Sequence, residues 1–339
     1  MGVCMATLAG YFQEALTNIE PDTDKANAAV AHDEVSKALK ADKRLQALGI
    51  SPVLIGSYAR SVSIKRVKDV DVFGRLENAD ETLAPGGALD IFEEVLSDDD
   101  NFGEDRVERQ HRSLKVDFPD FGLTVDAVPA RPSGDHWELP NRPEDAARAQ
   151  WVETNPLKLN ELTIEANKNF TLNGNGIYVP TVKLIRQIRR NWLEDQPGGF
   201  FFEVMTYWAF NEENLSGNSQ AEYLALALEA IAKMLPDVFA NGLDDPTMDG
   251  KKISTKAVDA DFELAIEKMG EAAVLARDAF EDTDECTSAI KWRTLIGRSS
   301  DDDEIFPLPS YCNNDGTRKS VSSVTSGSTT VPAGNGRYA

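Results

Sequence analysis

Cysteine and histidine are scarce, with three of each in 339 residues. Cys4, Cys286 and Cys312, and His32, His111 and His136, stand far apart and in no zinc-ligand spacing. We read the cysteines as unpaired thiols. With no secretory leader, that reading points to a reducing cytoplasm. No apolar run is long enough to cross a membrane. Gly2 opens no myristoylation motif, because Ala6 stands at the required Ser/Thr position. Basic charge is also short: 35 Lys and Arg against 57 Asp and Glu give a net charge of −22. That balance opposes constitutive binding to long nucleic acid, which needs basic surface to neutralise phosphates.

What basic charge there is comes in clusters: Lys65/Arg66/Lys68, Arg106/Arg109/Arg112 and Lys183/Arg186/Arg189/Arg190. Each is either ordinary charged surface or the lining of a nucleotide pocket inside an acidic protein. A hydrophobic content of 41% supports a sizeable core, and the length suits two domains or lobes.

The most informative stretch runs from Ser51 to Leu76 and reads as strand, turn, short helix, strand. Gly56-Ser57 closes the first strand, and Asp69-Val-Asp71 opens the second. Residues i and i+2 of a strand face one side, so Asp69 and Asp71 project together while Val70 and Val72 face the opposite layer. Two like charges on a half-buried strand are costly, and a bound cation resolves the conflict. Mg²⁺ suits such a site, because it takes a few carboxylates plus substrate phosphate oxygens. Two ions about 4 Å apart stabilise both the attacking and the leaving oxygen at phosphorus, and Mn²⁺ is an accepted substitute. Gly56 lets backbone approach a ligand closely. Ser57 offers a hydroxyl and an N–H at a helix start, where the β- and γ-phosphates of an NTP are the expected partners.

A third carboxylate is expected near the attacking hydroxyl. Asp126, in Gly122-Leu-Thr-Val-Asp-Ala-Val-Pro129, lies inside an apolar, β-branched run. Its rival Asp117 stands beside the turn Pro119-Asp-Phe-Gly122. Other acid-x-acid pairs, such as Asp22/Asp24, Asp98/Asp100, Asp259/Asp261 and Asp282/Asp284, read as solvated helix ends and loops.

Along the chain, helices are expected over 5–19, 24–42 and 87–96, with strands near 52–57, 69–76, 112–118 and 122–129. Residues 131–150 read as a hairpin or loop near the site. Helices are expected over 156–168, 179–195, 200–212, 219–238, 254–281 and 284–296, where strand signals fade. The resulting division is a catalytic lobe over 1–150 with N-terminal helices, a helical lobe over 151–308 and a flexible tail over 309–339. Val182, Ile185 and Ile188 form the apolar stripe of the helix that carries Lys183. Phe200, Phe201, Phe202, Tyr207, Trp208 and Phe210 read as core, while Tyr178 is a candidate for stacking on a base. The run Ser299-Ser-Asp-Asp-Asp-Glu304 reads as a solvated loop.

At these residues the chain resembles the polymerase-beta-type nucleotidyltransferase superfamily, and within it the bacterial cGAS/DncV-like nucleotidyltransferases, or CD-NTases. Gly56-Ser-Tyr-Ala-Arg60 followed by Asp69-Val-Asp-Val72 resembles the family's phosphate and metal motif, and Val125-Asp-Ala-Val-Pro-Ala130 its third-aspartate strand. Trp151-Val-Glu-Thr-Asn-Pro156 is similar to the segment leading into the second lobe. Val182-Lys-Leu-Ile-Arg-Gln-Ile-Arg-Arg-Asn-Trp192 is similar to the helix whose lysine contacts the triphosphate. Asp244-Asp-Pro246, Ile290-Lys-Trp-Arg-Thr-Leu-Ile-Gly297 and Phe306-Pro307 resemble the C-terminal signatures. Two departures touch nucleotide contacts rather than the metal site. Arg60-Ser-Val62 replaces Arg-Gly-Thr, and Gly198-Gly-Phe-Phe-Phe202 replaces a Lys-Ser-aromatic motif.

The resemblance implies an α+β, two-lobed nucleotidyltransferase fold with a small mixed-sheet catalytic lobe and a helical C-terminal lobe. It implies an enzyme that makes cyclic di- or trinucleotide signals from NTPs in anti-phage defence. Asp69, Asp71 and Asp126 would be catalytic and metal-binding. Gly56, Ser57, Arg60, Lys183 and Tyr178 would hold nucleotide. A separate effector would bind the product, and a ubiquitin-transfer-like partner would join the flexible tail to a target. The rivals are a linear oligonucleotide synthase, a transferase acting on RNA or protein, and a non-catalytic nucleotide-sensing module.

Overall fold

Strand β2 (Asp69–Leu76) turns Val70 and Val72 into a fully buried layer and leaves Asp69 and Asp71 on the other face. Strand β5 (Leu123–Ser133) runs parallel to it and repeats the alternation, with Val125 and Ala127 buried and Thr124 and Asp126 opposite. The buried side packs on helices α2 (Asp22–Ala41) and α5 (Pro85–Ser97), through Ala31, Val35 and Leu39 of the first and Leu89, Phe92 and Leu96 of the second. The acidic side is left to face a cleft. These relations come from a computed structural model that describes residues 7–142, 148–193 and 195–320, apart from the Asp22 side chain.

Around this pair the sheet has seven strands among the described residues. Strand β1 (Ile50–Ile55) lies antiparallel to β2. On the far side of β5 lie β4 (Leu114–Phe118) and β3 (Val107–Arg109), both antiparallel to their neighbours. The end of β5 continues into β6 (His136–Asn141) and β7 (Gln150–Thr154). Within the stretch read as a hairpin or loop, β5 turns back into β6 at Gly134-Asp135 as a hairpin, which β7 extends. Residues 143–147 lie outside the described residues. A short helix, α3 (Lys43–Ala47), follows α2 and is capped by Asp42, whose side chain accepts from the Arg44 and Leu45 N–H groups.

The remaining helices form the second part of the molecule. They are α6 (Pro156–Asn169), α7 (Tyr178–Trp192), α8 (Gly199–Glu212), α9 (Gln220–Asn241), α10 (Asp259–Glu281) and α11 (Glu285–Ile296), with a two-stranded turn, β8 (Thr171–Leu172) and β9 (Asn175–Gly176), between α6 and α7. Val182, Ile185 and Ile188 are buried as the α7 stripe requires. Helix α7 stops at Trp192 rather than 195, ahead of Pro197. Helix α10 begins at Asp259 rather than 254, where the Asp261 carboxylate accepts from the Val258 N–H. Among the described residues no helix is long and apolar enough to cross a membrane.

Two separate apolar cores correspond to the two lobes. Three details differ from the expected division. Helix α1 (Ala9–Ile19) buries Phe12, Ala15 and Ile19 in the helical core, where the Phe12 ring meets Trp292 edge-on at 5.0 Å. The sheet continues past residue 150 to Thr154. The tail is folded as far as Ser320: Cys312 is disulfide-bonded to Cys286 of α11 with the Cα atoms 5.4 Å apart, and Arg318 pairs with Asp284. Two of the three cysteines are therefore not free thiols, and the cysteine-based argument for a reducing compartment falls away. Cys4 and residues 321–339, with Gly336-Arg-Tyr-Ala339, lie outside the described residues.

Candidate active site

Between the two lobes lies a cleft of about 840 Å³, within the size range of small-molecule sites. On the sheet side it is lined by Gly56, Ser57, Asp69, Asp71 and Asp126. Asp71 and Asp126 are in register on parallel strands, so the two carboxylates stand side by side, and Asp69 follows two residues back along β2. Thr124 donates to Asp69 at 3.0 Å. Asp117, on β4 beside Thr124, does not line the cleft, so the geometry favours Asp126 over its rival.

The carboxylates oppose one another. Burial pushes the Asp71 carboxyl above its usual range; the Arg60 charge pulls it down and Asp69 adds to the rise. Asp126 is pushed up to about 6, by burial first and then by the charges of Asp71 and Asp69. Its Oδ1 is buried without a hydrogen-bond partner among the described residues. An orphaned, buried carboxylate oxygen beside two more acids is a donor set that suits a hard divalent cation. Among the described residues no three His, Cys, Asp or Glu side chains are grouped so that they could hold an ion by themselves. Mg²⁺ does not require that, because it draws part of its shell from substrate phosphate and water.

Gly56 is fitted to Asp71. Its φ is +74°, and a Cβ there would stand 1.9 Å from Asp71 Oδ2. Gly56 opens the single turn α4 (Gly56–Ala59), and the Ser63 hydroxyl donates to the Ser57 hydroxyl at 3.1 Å. The next residue, Arg60, is buried. It pairs through two nitrogens with Glu203 of α8, at 2.5 and 3.2 Å, and both side chains are 3% exposed or less. Glu203 also receives Arg186 at 3.3 Å. This buried Arg60–Glu203–Arg186 group ties the phosphate motif to the helical lobe.

The opposite wall is cationic. Arg186, Arg189 and Arg190 of α7 all line the cleft, as their i, i+3 and i+4 spacing allows. Arg186 Nε and Arg189 Nη2 are buried without a partner among the described residues. Burial lowers the pKa of all three guanidinium groups from its ordinary value. Lys183 and Tyr178 are not brought to the site. Lys183 turns toward α1, where its ammonium pairs with Glu20. Tyr178 is fully buried against Phe210, and burial raises its hydroxyl well above the usual range. An aromatic ring in the cleft comes instead from Phe200, which is 44% exposed and stands 6.0 Å from the Arg60 guanidinium. Phe201, Phe202 and Phe210 are core, as read. Arg66 and Lys68 of the first basic cluster line the cleft; Arg109 of the second is spent on Asp90 and Glu93.

Residues 5–167 match the family model described as the Second Messenger Oligonucleotide or Dinucleotide Synthetase domain. The chain is similar in sequence over this stretch to the CD-NTases and shares their fold. A curated relative, the cyclic AMP-AMP-AMP synthase of Acinetobacter sp. (strain ATCC 27244 / 9458), is 28% identical over 312 residues, covering 86% of this chain and 84% of that one. Among solved CD-NTases, E. coli MS115-1 CdnC with ATP superposes with a TM-score of 0.66 at 16% identity, covering 88% of this chain and 98% of that chain. The same CdnC in its complex with HORMA-deltaN gives 0.64 at 16% identity, covering 82% and 93%.

Proposed function

We propose that this chain acts as a CD-NTase, joining NTPs without a template and closing the product into a cyclic di- or trinucleotide. The observation that carries the reading is the in-register Asp71–Asp126 pair, with Asp69 beside it, facing a cationic wall across one cleft. In each round a ribose hydroxyl oxygen of one nucleotide bonds to the α-phosphorus of another. The bond from that phosphorus to the bridging oxygen breaks, pyrophosphate leaves and the hydroxyl gives up its proton. Asp69 and Asp71 would hold two Mg²⁺ ions, and Asp126 the one that serves the attacking hydroxyl. Bound there, divalent cations supply charge neutralisation at the triphosphate and activation of the hydroxyl. The chain's own contribution is positioning and preset charge. Ser57 takes phosphate oxygens at the α4 turn. Arg186, Arg189 and Arg190 take the role first assigned to Lys183. Phe200 takes the stacking role first assigned to Tyr178.

ATP is the first substrate to test, because the Acinetobacter relative is an AMP-AMP-AMP synthase and CdnC was solved with ATP. Pyrophosphate release that requires Mg²⁺ or Mn²⁺ and disappears in Asp69→Ala/Asp71→Ala supports the reading. Release that survives the double substitution contradicts it. We infer a role in anti-phage signalling in the cytoplasm, with an effector that binds the product, from the family likeness. A protein partner is in keeping with the CdnC–HORMA-deltaN complex. Conjugation of the tail by a ubiquitin-transfer-like partner predicts that deleting 330–339 leaves synthesis intact; loss of synthesis would count against it.

A further inference from the structure

The loop that joins the phosphate motif to the metal strand carries a cation that already has a partner. Arg66 lies between Ser57 and Asp69 and lines the cleft. Its Nε donates to Asp301 Oδ1 at 3.0 Å, reaching from the sheet lobe to a loop that follows α11. Ser300, next to Asp301, also lines the cleft. We propose that Arg66 is a triphosphate-binding residue for which Asp301 competes with the substrate. The inference rests on the nucleotide reading of the cleft.

Three features support an exchange of partners. The first is that the pair is weak. Arg66 is 58% and Asp301 36% exposed, and ion pairs in such solvent-exposed settings contribute little. A triphosphate offers several charged oxygens in place of one carboxylate oxygen. The second is that only the side chain has to move. Lys65 N–H donates to the Ile19 carbonyl at 3.0 Å, the Lys65 carbonyl accepts from Arg190, and Val67 N–H donates to Asp24 at 3.1 Å. The backbone on both sides of Arg66 is thus pinned. The third is that Asp301 is displayed by a built turn. The Ser299 hydroxyl accepts from the Asp301 and Asp303 N–H groups at 3.1 and 3.2 Å. Asp302 and Glu304 are taken up by Arg298, while Asp301 reaches across to Arg66 of the sheet lobe.

The test is calorimetric affinity of the full chain for ATP and for inorganic tripolyphosphate, with adenosine as the probe that lacks phosphate. Asp301→Asn should tighten both phosphate ligands about two- to five-fold, the factor that an exposed ion pair supplies. Arg66→Gln should weaken both and leave adenosine unchanged. In the Arg66→Gln background, Asp301→Asn should have no further effect. Asp302→Asn removes the same charge from the same loop but spares the contact, so it should change affinity by less than half as much. An Asp301→Asn effect that persists without Arg66, or that Asp302→Asn reproduces, would overturn the competition and leave only a general field. ATP binding that Asp301→Asn does not alter overturns it as well. Failure of the unsubstituted chain and every variant to bind ATP or tripolyphosphate overturns the nucleotide reading, and this inference with it.

Discussion

In Gly56→Ala a methyl carbon enters the space of the Asp71 carboxylate. The new Cβ would lie 1.9 Å from Asp71 Oδ2, where real contacts essentially never fall below 3.0 Å, so the carboxylate must retreat by more than an ångström. The backbone adds a second cost, because φ at this residue is +74° and the left-handed region costs an L-residue roughly 1–2 kcal/mol. Gly174→Ala separates the two effects. Gly174, in the two-residue turn between β8 and β9, has φ +80° and nothing within 4 Å of its added Cβ, so it carries a positive-φ cost without the clash. Both variants should lose a few degrees of melting temperature. Only Gly56→Ala should lose turnover, by about 100-fold, the effect expected of a misplacement of roughly 1 Å in a reacting constellation. The assay pairs thermal melting with pyrophosphate release from ATP. Turnover of Gly56→Ala within a few-fold of the unsubstituted protein would refute the argument that Asp71 must sit where it does.

Asp126→Asn should abolish turnover yet raise the melting temperature of metal-free protein at neutral pH. The sign follows from the raised carboxyl: with a folded value of about 6 against an ordinary 3.8, its stabilising contribution is complete below pH 3.8 and lost as pH rises through 6. Metal-free melts at pH 5 and 7 should therefore differ less in Asp126→Asn than in the parent; equal differences would contradict the repulsion. Arg189→Gln should raise the KM for ATP by about 10- to 100-fold, the range for a hydrogen bond to a charged group. Lys183→Met should leave that KM unchanged and barely shift the melt, because Glu20 keeps Lys25 at 2.6 Å. The reverse order in steady-state kinetics would restore Lys183 to the site. Glu203→Ala leaves Arg60 buried with Asn160 but without a carboxylate partner and should cost about 3–5 kcal/mol in denaturant unfolding; a loss under 1 kcal/mol would show that the pair is not structural.

The sheet motif was legible because its signal is local. Period-two alternation places Asp69 and Asp71 on one face whatever the rest of the chain does; Asp126 joins them through the parallel register of β2 and β5. Gly56-Ser57 reads as a turn for the same reason. Strand β3 was missed because three residues, Val107-Glu-Arg109, carry no period. Lys183 and Tyr178 were misplaced because a helical residue's surroundings depend on neighbours distant in sequence: Glu20 of the first connection claims one, and Phe210 of α8 the other. Phe200 stands in a run of three phenylalanines, and only packing separates the exposed ring from the two buried ones. Glu203 had a readable signal, an acid inside an otherwise apolar stretch from Phe200 to Met205, and it marks the buried partner of Arg60. The disulfide was illegible because 26 residues separate Cys286 from Cys312 and nothing in that interval predicts the return of the chain onto α11.

The most direct test of the account is to incubate the protein with labelled ATP, alone and mixed with the other NTPs, in Mg²⁺ or Mn²⁺, then to treat the reaction with phosphatase and identify what survives by mass spectrometry. A phosphatase-resistant cyclic oligonucleotide made by the intact protein, and absent from Asp69→Ala/Asp71→Ala, is the predicted result. Labelled products that phosphatase degrades completely would contradict cyclisation and establish a linear synthase. A resistant product made equally by the double variant would contradict the assignment of the site.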